Sequence, residues 1–245
     1  KLFNEKLLKE VFERSEFAQK KYQKFSQKYI GATITNLDLA EFFDDYCSVY
    51  IDLVACFRTT RPVYVDALVE SLKEKLATAE AGQEILSCLL ISENDDDIRL
   101  EQTDWTSLLK NGSAAPDDFK RHAIKYSWLF PSIYNYEIAI KKLTDRFTAD
   151  LVKLKDKLKE SEDIQNGLNK SLNIKKKYLT DCSEKEIQRL SKVITELSEF
   201  RTYFKLALSG ITFTFREILK GIASNANLEP DIFYNSYTIE DIRKL

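Results

Sequence analysis

The chain has 245 residues, 44% of them apolar and 31% charged, a balance that allows a sizeable core and excludes intrinsic disorder. Its 37 basic and 39 acidic side chains leave a net charge of −2, too small for a field that would draw the whole molecule to nucleic acid or an acidic membrane. With only 6 Gly and 4 Pro, and no apolar run near the roughly 20 residues of a membrane span, helices joined by few turns are expected.

From the start, Lys1–Tyr29 carries Leu7, Leu8, Val11, Phe12, Phe17, Tyr22 and Phe25 at helical spacing and is predicted to end at Gly31. Asn36 is the expected N-cap of a second helix from Leu37 to about Phe57, with an aromatic-rich face of Phe42, Phe43, Tyr46 and Tyr50. Pro62 suits the first turn of a third helix running to about Leu76, with Leu68 and Leu72 inward. A short helix over Glu84–Leu90 follows Gly82. Glu93–Asp97 reads as a solvated acidic loop, and Thr103–Leu109 as another short helix. Pro116-Asp117-Asp118 places a proline and two acids where a helix begins. Pro131, with its aromatic neighbours, marks a loop.

Tyr136–Tyr178 is long and lysine-rich. Phe147, Leu151, Leu154 and Leu158 form a coiled-coil-like seam that stumbles at Lys159–Asp163, which fits either two long antiparallel helices or one bent helix. The lysines of Lys141–Lys177 alternate with acids, as on an exposed helix face. Ser183 with Glu186 is a capping box opening a helix expected to reach about Gly221. Leu228–Phe233 reads as a helical turn, and Thr238–Asp241 as the start of a last helix. The fold class is therefore all-α, a multi-helix bundle with long antiparallel helices. Its expected lobes are residues 1–92 and 116–245, joined by a loop and short helix over 93–115.

Chemistry-bearing constellations are sparse. Cys47, Cys56, Cys88 and Cys182 form no C-x-x-C pair and read as buried or incidental thiols of a reducing, cytoplasmic compartment. His122 is the only histidine, so histidine metal sites and hydrolytic triads lack their partners, and it reads as structural or surface-exposed. The acidic run lacks the spacing and glycine of a calcium loop. No phosphate-cradling glycine loop occurs. The aromatic clusters read as core, or as an apolar pocket between helices. The chain starts at lysine and has 0 Met, so it is expected to be a fragment of a longer polypeptide. No catalytic residue, metal site or cofactor is assigned to it.

Four stretches, in this order, carry a resemblance. Arg58-Thr59-Thr60-Arg61-Pro62-Val63-Tyr64 is similar to the turn "Tyr or Phe, Arg, x, Thr, Arg, Pro" of PEP-utilising phosphotransferases, the enzymes related to phosphoenolpyruvate synthase and rifampicin phosphotransferase. His122-Ala123-Ile124-Lys125-Tyr126-Ser127-Trp128-Leu129 resembles the family's "His-x-x-Lys-Tyr-x-Trp" stretch. Glu199-Phe200-Arg201-Thr202-Tyr203-Phe204-Lys205 resembles its "Leu-Arg-Thr-x-Arg-Lys" helix, with Phe204 standing where the second arginine is expected or that arginine absent. Tyr237–Ile242 resembles the "Leu-Thr-x-Glu-Glu-Ile" that follows.

The resemblance covers roughly Leu37 to the end, except for the loop Leu129–Tyr136. It implies a non-catalytic helical region between an ATP-grasp domain and a swivelling phosphohistidine domain of the same parent chain. ATP and Mg would be used by that parent, and the phosphoryl group would pass to pyruvate or another small-molecule acceptor. His122 does not match the swivelling histidine. Arg58, Arg61, Trp128 and Arg201 are the candidate ligand or interdomain residues, since arginine and aromatics suit anionic and ring-bearing ligands. The same arginines could instead pin helix ends, with the tryptophan in the core. The rival expectation is a stand-alone helical interaction or scaffold module whose contacts run along Tyr136–Tyr178. Neither nucleic acid nor membrane is an expected partner.

Overall fold

The computed structural model describes residues 5–30, 32, 34–60, 62–78, 82–94, 97–131 and 135–229. Among these, ten α-helices and two short 3-10 turns occur and no strand, as the scarcity of glycine and the helical apolar spacing predict. The helices are α1 (Glu5–Tyr29), α2 (Leu39–Thr59), α3 (Pro62–Thr78), α4 (Gln83–Leu89), α5 (Asp97–Lys110), α6 (Pro116–Lys125), α7 (Tyr136–Val152), α8 (Leu154–Asp181), α9 (Lys185–Thr214) and α10 (Arg216–Asn225). The 3-10 turns are Ile34–Asn36 and Ser127–Leu129.

The chain forms two compact units. One takes its described residues from Lys1–Cys56, Ala123–Ala139 and Phe204–Leu245, the other from Phe57–His122 and Ile140–Tyr203. Each unit therefore draws chain from both sides of the 93–115 stretch.

In the first unit, α1 buries Leu8, Ser15, Ala18, Phe25 and Tyr29, a stripe at helical spacing, while Leu7 and Phe17 of the expected face stay in water. Phe25 sits 4.8 Å from Phe215 and 5.7 Å from Phe42, ring centre to ring centre. These aromatics are core, each buried ring of this kind contributing about 1.5–3 kcal/mol by leaving water. Asp45 anchors the rim of that core, accepting from Tyr29 Oη at 2.8 Å and Lys28 Nζ at 2.9 Å. Gly210 marks a close approach of a helix to the Ser127–Leu129 turn in this unit. A Cβ added there would overlap Ser127 Oγ and lie 2.9 Å from the Trp128 backbone nitrogen.

In the second unit, Leu68, Leu72 and Leu76 line the buried face of α3. Helix α8 packs on α4 and α5. Trp105, Phe119 and Phe147 bring α5, α6 and α7 together, with ring centres 6.0 Å apart for Trp105–Phe147 and 5.5 Å for Phe119–Phe147. Helices α8 and α9 form an antiparallel hairpin joined by Cys182–Glu184. Gln188 closes its mouth by donating its side-chain amide to the carbonyls of Leu179 and Cys182, each at 3.0 Å. Those are C-terminal carbonyls of α8 that the helix itself leaves unmet.

Several boundaries differ from the sequence expectation. Asp38, not Asn36, caps α2, its Oδ1 accepting from the backbone of Ala40 at 3.0 Å and Glu41 at 3.1 Å. The Glu93–Asp97 loop is shorter than expected because α5 begins at Asp97, whose charge complements the positive helix start. The stumble at Lys159–Asp163 lies inside an unbroken α8, and the joint falls at Lys153 instead (φ −111°, ψ 28°). Likewise α9 does not run on to Gly221, because the backbone breaks at Phe215 (φ −106°, ψ 17°). In the expected capping box, Glu186 binds Arg189 at 2.7 and 2.8 Å. Residues 230–245, which include the expected turn after Leu228 and the last helix, lie outside the described residues beyond Glu229.

Candidate functional site

The four residues singled out from the sequence fall in different places. Arg58 is exposed at the end of α2, and Arg61 lies outside the described residues. Arg201 reaches back from α9 to the end of α2. Its Nη1 donates to the Thr60 carbonyl at 3.0 Å and the Phe57 carbonyl at 3.4 Å, and its guanidinium lies 4.5 Å over the Phe57 ring. A cation on the last carbonyls of a helix satisfies unmet acceptors and complements the negative end of the dipole. Trp128 belongs to the other unit, in the Ser127–Leu129 turn, where it is half-buried and edge-on to Tyr126 at 6.5 Å. The structure thus joins Arg201 to the turn that carries Arg58.

A polar cluster the sequence did not foreshadow lies within the second unit. Glu101, on α5, is only 4% exposed. Its Oε1 accepts from His122 Nε2 at 3.1 Å and from Arg146 Nη1 at 2.7 Å. Burial pushes the Glu101 carboxyl up, but the hydrogen bonds from His122 and Arg146 outweigh it and hold the group below its ordinary range. Arg146 also covers the Trp105 ring at 4.0 Å, and Trp105 Nε1 donates to Asp150 at 2.9 Å. The lone histidine is therefore buried and held on a carboxylate, which ties α5, α6 and α7 together.

A polar groove of about 580 Å³ runs along the α8–α9 hairpin, closed at one side by the segment after α4. Such a volume is in the range that small-molecule ligands occupy. Its lining includes Glu93, Asn94, Lys175, Lys176, Lys192 and Glu196. Lys175 is the unusual member. Sequence pattern puts it on a solvated lysine face, yet it is 4% exposed, because α8 turns this position toward α4 and α9. Its Nζ donates to the Ile91 carbonyl at 2.7 Å and lies 3.8 Å from Glu93 Oε1. Burial pulls the Lys175 ammonium below its usual range, against the pull of Glu93 and Glu199 in the other direction.

The floor of the groove is already satisfied. Ser191 donates to the Leu89 carbonyl at 2.8 Å and Thr195 to the Ser191 carbonyl at 3.0 Å. Glu199 accepts from Ser92 and, at 3.1 and 3.2 Å, from Asn94. No sequence period could assemble this site, since Lys175 and its partner Ile91 stand 84 residues apart.

Among the described residues, no group of three or more His, Cys, Asp or Glu side chains could hold a metal ion. Cys47, Cys56 and Cys88 are buried, in line with the sequence expectation, and Cys182 is partly exposed. No helix of the described residues is long and apolar enough to cross a membrane. Fold and groove together define an all-α protein with a polar cleft along one helical hairpin. No family model, curated protein or solved structure matches the chain.

Proposed function

We propose that the chain is a non-catalytic helical domain of a phosphotransferase of the PEP-utilising type, set between an ATP-grasp domain and a swivelling phosphohistidine domain. One observation carries the reading. Two stretches of the resemblance, the Arg58–Tyr64 turn and the Glu199–Lys205 helix, meet through the hydrogen bonds of Arg201 to Phe57 and Thr60. Motifs 141 residues apart that resemble one family in order, and that also touch, fit a shared structural unit better than chance matches do. In this reading ATP and Mg act in the parent's other domains, and the α8–α9 groove is where a small acceptor would rest. His122 is not the phosphoryl carrier in this reading, because its ring is buried with Nε2 on Glu101.

A second reading, a stand-alone interaction module working through residues 136–178, draws on the exposure of Val152 (83%) and Ile164 (54%). The burial of Leu143 and Phe147 against their own unit weighs against it.

The test is to incubate the native polypeptide with radiolabelled ATP and Mg and map the acid-labile label. Phosphohistidine on a residue other than His122 is expected. No phosphohistidine, or label on His122, overturns the proposal.

A further inference from the structure

The groove along α8 and α9 has an uneven distribution of unspent polar capacity, and that distribution specifies a ligand. Its neutral groups have used their donors. Ser191 and Thr195 donate to backbone carbonyls, and Gln188 has committed its amide to Leu179 and Cys182. Glu199 is occupied by Ser92 and Asn94.

What remains is charged, and of both signs. An ammonium has three donors, and Lys175 meets one at hydrogen-bond distance among the described residues, with Glu93 at 3.8 Å, longer than a hydrogen bond. A buried cation so incompletely paired is costly, and an anionic group arriving at it would gain both charge and hydrogen bonds. Lys176 and Lys192 add positive charge to the same lining. In the same lining Glu93, largely in water, stands beside Lys175 and Glu196 beside Lys192, each at 3.8 Å, loose pairs that leave most of the carboxylates' acceptor capacity to solvent.

A dianion such as phosphate would meet Lys175 but also the carboxylates of Glu93, Glu196 and Glu199, and a simple amine would meet the carboxylates but also three lysines. A ligand carrying both charges satisfies both signs at once. We infer that the α8–α9 groove binds a small zwitterion of the amino-acid or short-peptide class, its carboxylate on Lys175 and its ammonium toward Glu93 and Glu196. The inference uses only the groove and does not depend on the chain being part of a phosphotransferase.

Isothermal titration calorimetry on the 245-residue chain, without ATP, tests it. The probes are L-alanine, tri-L-alanine, N-acetyl-tri-L-alanine, tri-L-alanine amide and inorganic phosphate. Saturable binding of L-alanine or tri-L-alanine is expected, the tighter of the two marking whether a free amino acid or a peptide fills the groove. Loss of either charge should weaken binding at least tenfold. Glu196→Gln, at a partly exposed position, should narrow the gap between the free and N-acetylated peptides, and Lys175→Met the gap between the acid and the amide. Because Lys175 is buried, its variant is read only if far-UV circular dichroism shows native helicity, and Glu196→Gln carries the test otherwise. Equal binding of acid and amide, phosphate binding in preference to both zwitterions, or no heat with any probe overturns the inference.

Discussion

Two glycines in helices should respond to the same substitution with opposite signs. Replacing a helical glycine by alanine gains about 1 kcal/mol of helix propensity where the methyl group meets only solvent. Gly167 lies in the exposed middle of α8, with nothing within 4 Å of its Cβ position, so Gly167→Ala should stabilise by about that amount. Gly210 lies in α9 against the Ser127–Leu129 turn. Its new methyl would overlap Ser127 Oγ and stand 2.9 Å from the Trp128 nitrogen and 3.2 Å from the Ser127 carbonyl carbon. A serine hydroxyl can rotate away, whereas backbone cannot, and this turn is anchored by Tyr126 and Phe130, each buried.

Overpacking of this kind costs about 1–3 kcal/mol, and the backbone contacts with an anchored turn place Gly210→Ala at the upper end. Set against the propensity gain, the net loss is about 1–2 kcal/mol. For a chain of this length that lowers the thermal midpoint by about 2–8 °C, while Gly167→Ala should raise it by about 2–4 °C. Urea titration and thermal melting, each followed by circular dichroism at 222 nm, measure the free-energy and midpoint changes of both variants. If Gly210→Ala stabilises as much as Gly167→Ala, the close approach of α9 to the Ser127–Leu129 turn is wrong.

Other substitutions probe the polar contacts. Glu101→Gln should cost about 1–2 kcal/mol at neutral pH, because it removes the charge that His122 and Arg146 share yet keeps one acceptor oxygen. The Glu101 carboxyl is held below its ordinary value of 4.5 in the folded chain, so its contribution is present above that pH and fades as pH falls through the lower folded value. Urea midpoints between pH 7 and pH 3 should therefore converge for wild type and Glu101→Gln at the acid end, and parallel curves would contradict that sign. Trp105→Phe loses the bond to Asp150 and part of the stacking surface under Arg146, an expected loss of about 1–2 kcal/mol by the same titration. Arg201→Ala strips the carbonyls of Phe57 and Thr60 of their cation, and about 1–2 kcal/mol should be lost. Hydrogen exchange should rise at the C-terminal end of α2, and unchanged exchange there would show that Arg201 does not pin it.

Much of the helical layout was legible because apolar spacing and helix-start residues are local signals. Pro62 and Pro116 open α3 and α6 where the sequence predicts. The joints at Lys153 and Phe215 carry neither proline nor glycine, so nothing in the local sequence marks them, and apolar spacing predicts a longer helix or a break elsewhere. Lys175 shows the same limit for a site residue. In sequence it is one of three adjacent lysines on a charged helix, and only the packing of α8 against α4 buries it. The partnership of His122 with Glu101 was likewise out of reach, because a lone histidine gives no hint of a carboxylate 21 residues earlier.

Intact mass spectrometry of the polypeptide from its own cells, with peptide mapping of both ends, bears most directly on the proposed role as a domain between two catalytic ones. A mass several times 28.5 kDa, with a glycine-rich, histidine-bearing segment after Leu245, is the predicted result. A mature polypeptide near 28.5 kDa that ends at Leu245 would contradict it.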